Sequence, residues 1–315
     1  MNPLEIMSLT REGVGKTALI TGADSFTGQY VARELLAAGY RVIGTTSSGQ
    51  GNLPFGTQIR KLELIDRIAI RILLSEARPD VVVHLETHPK TQSDDIEKIY
   101  TVDIAWTSKL LEELDAISLK RPIVMIISDA SVYGNSSHSV IDEQVEISPL
   151  DDFSVSKISV EHIAKIWMDR IHIIIVRPFN YSGLGQHPSF FLPKIVDSFQ
   201  RREASIRLPQ LNIKRDFSDV RLVAAAYRAL LYRAPESGVY NVCSGIAYSL
   251  EDIHKTMETI ADFKINLIET KALKLPEVIE VQIGNNNRLE NVIGKIIPIP
   301  LEKTLRWMYT NGSET

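Results

Sequence analysis

Short β-branched and aliphatic runs alternate with longer stretches in which apolar residues recur every three or four positions, from residue 17 to about 176. The runs 17–21 (TALIT), 41–46 (RVIGTT), 58–63, 80–85 (DVVVHL), 122–128 (PIVMIIS) and 171–176 (IHIIIV) have the length and composition of strands. The stretches 27–38, 67–77, 94–115 and 153–169 have helical spacing. Such alternation predicts an α/β chain, with parallel strands joined by right-handed crossovers in a doubly wound sheet. Val81, Val82 and Val83 are apolar on both faces of their strand, as burial between two helical layers requires. After about residue 177 the rhythm gives way to loops rich in Pro, Gly and Asn, which predicts a smaller, irregular C-terminal unit.

The chain has 315 residues, 44% of them hydrophobic and 23% charged, enough to bury a sizeable core in one or two domains. A formal net charge of −4 provides no basic field for nucleic acid or an anionic membrane, so neither partner is expected. Cys243 is the single cysteine; an internal disulfide is impossible, and Cys243 reads as a small buried apolar residue in a reducing, cytoplasmic setting. No window approaches the ~18 apolar residues of a membrane span, and the first 17 residues carry no long apolar stretch. No metal-ligating pattern is read.

Two glycine signals lie near the N-terminus. Gly13-Val-Gly15-Lys16-Thr17 ends like a phosphate-binding P-loop, but Thr10 stands where that motif needs glycine, and a strand follows where it needs a helix. The second signal, Thr21-Gly22-Ala23-Asp24-Ser25-Phe26-Thr27-Gly28, follows the first strand and opens the first long helix, which is the context of a dinucleotide site. Gly22 permits the tight turn and Gly28 a close helix packing, with helix N-terminal amides facing a pyrophosphate. Ser25 occupies the place of the middle glycine, where its Cβ crowds a cofactor and its hydroxyl can donate to a phosphate. Asp24 adds a like charge if it faces the phosphates and costs nothing if it faces solvent. Thr45-Thr46-Ser47-Ser48, at the end of the second strand, supplies neither the carboxylate that accepts from NAD nor an arginine for the NADP phosphate. Hydroxyls at Thr46 and Ser47 without a carboxylate favour NADP over NAD. Glu63 reads either as an acceptor for the adenine amino group or as a solvated loop acid.

With these residues in place, the chain resembles the extended short-chain dehydrogenases, the NAD-dependent epimerase/dehydratase family, and within it the GDP-4-keto-6-deoxy-D-mannose reductases. The likeness spans roughly residues 16–310. It rests on TGxxxFxG at 21–28, HL at 84–85, VYG at 132–134, VSK at 155–157, RPFN at 177–180, RDFSDV at 215–220, YNVCSG at 240–245 and IPLEKTL at 299–305. The resemblance implies a Rossmann-like NAD(P)-binding domain over 13–176 plus 216–246, and a nucleoside diphosphate sugar-binding domain over 177–215 and 247–309. It also implies a homodimer through helices 94–115 and 153–169.

The family's chemistry as implied uses a tyrosine to exchange a proton with the sugar oxygen, a lysine to depress its pKa and hold the nicotinamide ribose, and a serine or threonine on the same oxygen. Lys157 is present; the tyrosine position is Phe153, and Asp129, five residues before Gly134, stands at the serine or threonine position. Glu86 and Thr87 replace the usual Ala-Ala, Asp103 an asparagine, and Leu275 a pyrophosphate-binding arginine. Arg215, Asn180 and Ser131 are the expected sugar-nucleotide contacts. Asp129 reads either as a turn-capping carboxylate or as a site acid paired with Lys157, an arrangement resembling certain 4,6-dehydratases. His84 reads as a satisfied structural histidine, and Tyr181 as a remote source of a hydroxyl. A positioned general acid contributes about 10²–10⁴ in rate. The chain is therefore expected to be an NAD(P)-dependent reductase of an NDP-4-keto-6-deoxyhexose, with two alternatives: a silent nucleotide-binding or regulatory subunit, or a dehydratase-like enzyme using Asp129 with Lys157.

Overall fold

The computed structural model describes residues 11–63, 66–85, 96–116, 121–209, 211–270 and 281–313. The first strands are β1 (Thr17–Thr21), β2 (Arg41–Thr46), β3 (Gln58–Lys61), β4 (Val81–His84) and β5 (Ile123–Ile127), followed by β6 (Val140–Ile141), β7 (Ile173–Pro178) and β8 (Asn180–Ser182). The later ones are β9 (Ser205–Pro209), β10 (Lys214–Asp219), β11 (Gly238–Val242), β12 (Ala247–Ser249), β13 (Asn266–Thr270) and β14 (Val281–Gly284). Seven of them form one parallel sheet in the order β11-β7-β5-β4-β1-β2-β3, with Leu19 flanked by Ile43 and Val82. The chain order reverses beside β1, which opens a crevice at the C-terminal ends of β1 and β4.

Helices α1 (Phe26–Ala37) and α2 (Arg67–Ala77) are followed by α3, a helical run made of Ile96–Tyr100, a π turn at Thr101–Ala105 and Trp106–Ala116. Next come α4 (Asp152–Trp167), α5 (Phe191–Gln200), α6 (Val220–Arg233), α7 (Leu250–Ala261), α8 (Asn287–Ile293) and α9 (Leu301–Tyr309). Side chains of α1 and α6 share one core with one face of the sheet, including Val31, Leu35, Val223, Tyr227 and Leu230. The opposite face packs on α2, α3 and α4 through Ile70, Leu74, Leu110, Leu111 and Val160. Fully buried Val82 and Val83 lie in different clusters, as expected of a strand between two layers.

Helix ends follow local chemistry. Asp66 caps α2 by accepting from the amides of Ile68 and Ala69, and Asp151 closes a capping box with Ser154 at the start of α4. Beyond residue 177 the chain is more regular than its loops suggest. Helices α5, α7 and α9 bury Leu192, Phe199, Ile253, Met257 and Leu305 in a core of their own, joined by Ile206 and Leu208 of β9. Strands β12-β10-β14-β6 form a second sheet, and β8 pairs with β10. A small cluster of Val132, Tyr133, Ile141, Phe179 and Cys243 lies where these sheets approach the main one. Cys243 is buried at 2% exposure.

Candidate active site

The glycine turn follows from the end of β1. Gly22 adopts φ +63, which a β-carbon disfavours, and the amide of Ala23 donates to the carbonyl of Thr45, tying the turn to the end of β2. A β-carbon on Gly28 would lie 2.5 Å from the carbonyl oxygen of Ala23 and 2.7 Å from that of Gly22, so only glycine lets α1 begin this close to the turn. Ser25 is exposed and extended, and its hydroxyl oxygen accepts the amide of Gly28 at 3.1 Å as the N-cap of α1. That use of the oxygen leaves the hydroxyl proton for a ligand. Phe26 stacks on Tyr181 at 6.2 Å and meets Tyr30 edge-on at 5.5 Å, so its ring packs in the wall of the site.

At the end of β2, Thr46 is buried, and its hydroxyl has no hydrogen-bond partner among the described residues; Ser47 is exposed. Glu63 is exposed, 3.9 Å from Lys61, in keeping with the solvated reading. An orphaned hydroxyl at the ribose position, a helix N-terminus and a glycine cradle together fit a dinucleotide.

The second half of the site lies where α3 and α4 meet. Lys157 is 2% exposed, and its ammonium donates to Asp103 Oδ2 at 2.7 Å; the same oxygen accepts the hydroxyl of Ser156 at 2.7 Å. Asp103 lies in the π turn, a local rewinding often associated with functional sites, and is 1% exposed. Phe153, one turn before Lys157 on α4, holds its ring centroid 5.0 Å from the lysine nitrogen. Of the two readings of Asp129 the turn cap is visible: the hydrogen bond of Lys157 goes to Asp103, whereas Asp129 is half-buried and accepts the amide of Ser131 as N-cap of a 3-10 turn over Ala130–Tyr133. The physical reason is local, because an aspartate reaches the amide two residues ahead with no long-range closure to make.

Two further titratable groups are tied into the fold. His84 is buried between Thr21, 2.7 Å from Nδ1, and Thr107, 3.0 Å from Nε2, and burial pushes its pKa down to about 4. Tyr181 shares a 2.7 Å hydrogen bond with Thr27, and burial pushes its phenol up to about 12. Beneath the site, Arg177 makes a two-point pair with Glu161 at 2.6 and 2.8 Å, Ser128 donates to Glu161 at 2.6 Å, and Arg177 also donates to Tyr133 at 2.9 Å. Sequence reasoning missed this platform and the Asp103–Lys157 pair, although charged residues at apolar phase in α3 and α4 signalled both.

On the substrate side, the Ser131 hydroxyl is buried without a hydrogen-bond partner among the described residues, and exposed Asn180 donates to the carbonyl of Asp216 at 3.2 Å. Arg215 is half-buried on β10 and donates to the carbonyl of Lys214. The neighbouring Asp216 is fully buried and accepts from the amides of Ser244, Gly245 and Gly284 and from the Ser244 hydroxyl. It thereby anchors β10 to β14 and to the turn after β11, and so fixes where Arg215 emerges. Glu86, Thr87 and Leu275 lie outside the described residues. No group of three or more potential metal ligands converges among the described residues, and none of their helices is long and apolar enough to cross a membrane.

A parallel doubly wound sheet whose glycine turn opens a helix at the switch point, with a buried lysine beside it, defines a Rossmann-type protein of the short-chain dehydrogenase kind. The chain belongs to the NAD dependent epimerase/dehydratase family, whose model matches residues 18–243. Members of this family are NAD(P)-dependent sugar-nucleotide oxidoreductases and epimerases. The chain is 27% identical over 279 residues to GDP-6-deoxy-D-talose 4-dehydrogenase of Aggregatibacter actinomycetemcomitans, covering 88% of this chain and 90% of that one. It is 27% identical over 240 residues to GDP-6-deoxy-D-mannose reductase of Pseudomonas aeruginosa, covering 72% and 78%. Among solved structures it superposes with TM-score 0.89 and 37% identity on a Burkholderia cenocepacia protein whose name suggests an epimerase, covering 95% and 98%. The Pseudomonas aeruginosa RMD complex with NADPH shares the fold with TM-score 0.81 at 23% identity, covering 94% and 98%.

Proposed function

We propose that the protein transfers hydride between NAD(P) and a nucleotide-linked 6-deoxyhexose, with reduction of a GDP-4-keto-6-deoxy sugar as the favoured form. The observation that carries this reading is Lys157, kept as a buried ion pair at the ligand end of the sheet. Removing a lysine from water costs several kcal/mol, and in the family pattern this position is that of the lysine that holds the nicotinamide ribose. Gly22, Ser25, Phe26 and Gly28 would surround the pyrophosphate, Thr46, Ser47 and Glu63 the adenosine, and Ser131, Asn180 and Arg215 the sugar nucleotide. The bound dinucleotide would supply or take the hydride. With no phenol at Phe153, the proton at the sugar oxygen falls to Asp129, whose position in the family pattern is that of the hydroxyl on the same oxygen.

A second reading, a silent family member that binds nucleotide without turnover, is favoured by one specific observation. The Asp103 carboxylate neutralises Lys157 at 2.7 Å, so the pair has little net field with which to activate an acid. Consumption of NADH or NADPH with GDP-4-keto-6-deoxy-D-mannose separates the readings. Turnover by the wild type that is lost in Asp129→Asn supports the enzyme; ligand binding by calorimetry without turnover supports the silent protein. Turnover that survives Asp129→Asn removes Asp129 from the chemistry.

The same reading includes a homodimer through α3 and α4. Ile96, Val155 and Ile166, at 48, 38 and 68% exposure, leave apolar surface on these helices.

A further inference from the structure

The end of β2 lacks the carboxylate by which such folds select NAD, but the glycine turn brings one to the same place. A β-carbon built on Gly51 would stand 3.0 Å from Asp24 Cβ, 3.9 Å from the Asp24 carboxylate carbon and 3.7 Å from Thr46 Cγ2. Two residues far apart in sequence thus converge on one backbone position, held together by the Ala23-to-Thr45 hydrogen bond at 3.0 Å. Asp24 is exposed and lies on the β2 side of the turn. Thr46 is 1% exposed, and its hydroxyl oxygen is buried with no hydrogen-bond partner among the described residues. The end of β2 is where the adenosine ribose hydroxyls lie in this fold class, and an unsatisfied buried hydroxyl there calls for a partner.

We propose that Asp24, together with Thr46, is the specificity-determining site for the adenosine ribose, accepting from its 2′-hydroxyl and rejecting a 2′-phosphate, so that the protein prefers NAD(H) to NADP(H). The proposal rests on the dinucleotide reading above and reverses the preference drawn from the strand end alone. A 2′-phosphate beside Asp24 would place like charges together and lose an acceptor for the ribose hydroxyl. A nearby cation that would argue the other way is Lys61, whose Cβ lies 3.0 Å from a β-carbon built on Gly49. Its ammonium faces Glu63 at 3.9 Å, and both side chains are more than 60% exposed, at 63% and 61%.

Calorimetric titration of the full chain with NADH and with NADPH tests this directly. The wild type should bind NADH about tenfold or more tightly than NADPH, a tenfold ratio being ~1.4 kcal/mol. Asp24→Asn should bring the ratio close to one, mainly by improving NADPH. Raising ionic strength should narrow the wild-type ratio, since an exposed like-charge contact is screened. Asp24 is exposed, so the variant should melt at the wild-type temperature. NADPH binding as tight as or tighter than NADH in the wild type, or a ratio unmoved by Asp24→Asn, overturns the assignment while leaving the dinucleotide site standing. Binding of neither cofactor at millimolar concentration overturns both.

Discussion

The glycine turn and the lysine site occupy the same edge of one sheet but depend on different materials. The turn is made of backbone: Gly22 at positive φ, Gly28 against two carbonyls, and the free amides at the start of α1. The exposed side chain at 24 can vary there without changing its shape. The lysine site is made of charge and hydroxyl groups, so replacing one member changes what the others must do. Phenylalanine at 153 keeps the volume of tyrosine and deletes its proton; aspartate at 103 then cancels the lysine charge that a phenol would have used. A site built on backbone tolerates substitution, whereas a site built on paired charges has to be rebalanced as a unit.

The largest expected effect tests that last point. Should the wild type bind nucleotide without turnover, Phe153→Tyr alone should yield little reductase activity, because Asp103 still neutralises Lys157. Phe153→Tyr combined with Asp103→Asn should raise turnover over either single variant by up to about 10²–10⁴, the contribution of a positioned general acid. Steady-state rates of NADH and NADPH oxidation in the four proteins check this; equal rates in single and double variants would show that Asp103 is not what restrains the lysine.

Asp103→Ala should destabilise the fold by about 3–5 kcal/mol, since it leaves Lys157 buried without its counter-ion. Urea unfolding at neutral pH measures it, and a loss below about 1 kcal/mol would mean the pair is not the buried unit described here. At the other end of the comparison, Gly28→Ala should destabilise the fold by an overpacking cost of about 1–3 kcal/mol and abolish dinucleotide binding, because its β-carbon meets the Ala23 carbonyl oxygen at 2.5 Å.

His84 adds a pH dependence behind the lysine site. Its pKa in the folded protein is about 4 against the usual 6.5, so the unfolded chain binds more protons between these values. The stability it contributes is fully present above pH ~6.5 and is lost as pH falls towards 4, about 2 kcal/mol between pH 7 and pH 5. His84→Gln should flatten that part of the urea-unfolding profile. The smallest effect on stability tests the proposed homodimer: Ile166→Asp should change the unfolding free energy by no more than about 0.5 kcal/mol but shift sedimentation to the monomer. An unchanged dimer would place the interface elsewhere.

The alternation of apolar runs determined the sheet, the layers and the order of β1 to β5, because periods of two and 3.6 are local properties that each segment carries by itself. The glycine turn was legible for the same reason: a strand, a positive-φ glycine and a helix start lie within a dozen consecutive residues. The absent phenol at Phe153 was legible through the family resemblance, at the position four residues before Lys157. What Lys157 bonds to was not. Asp129 was the carboxylate weighed as its partner and Asp103 was read as a replaced asparagine, whereas the π turn in α3 brings Asp103 to Lys157 and the amide two residues beyond Asp129 engages that carboxylate. Nor could the meeting of Asp24 with Thr46 at Gly51, or the Glu161–Arg177 platform, be found in a linear chain. These are long-range pairings between elements, set only when the crossovers place α3 against α4 and the glycine turn against β2, and a single sequence holds no record of which distant polar residues will meet.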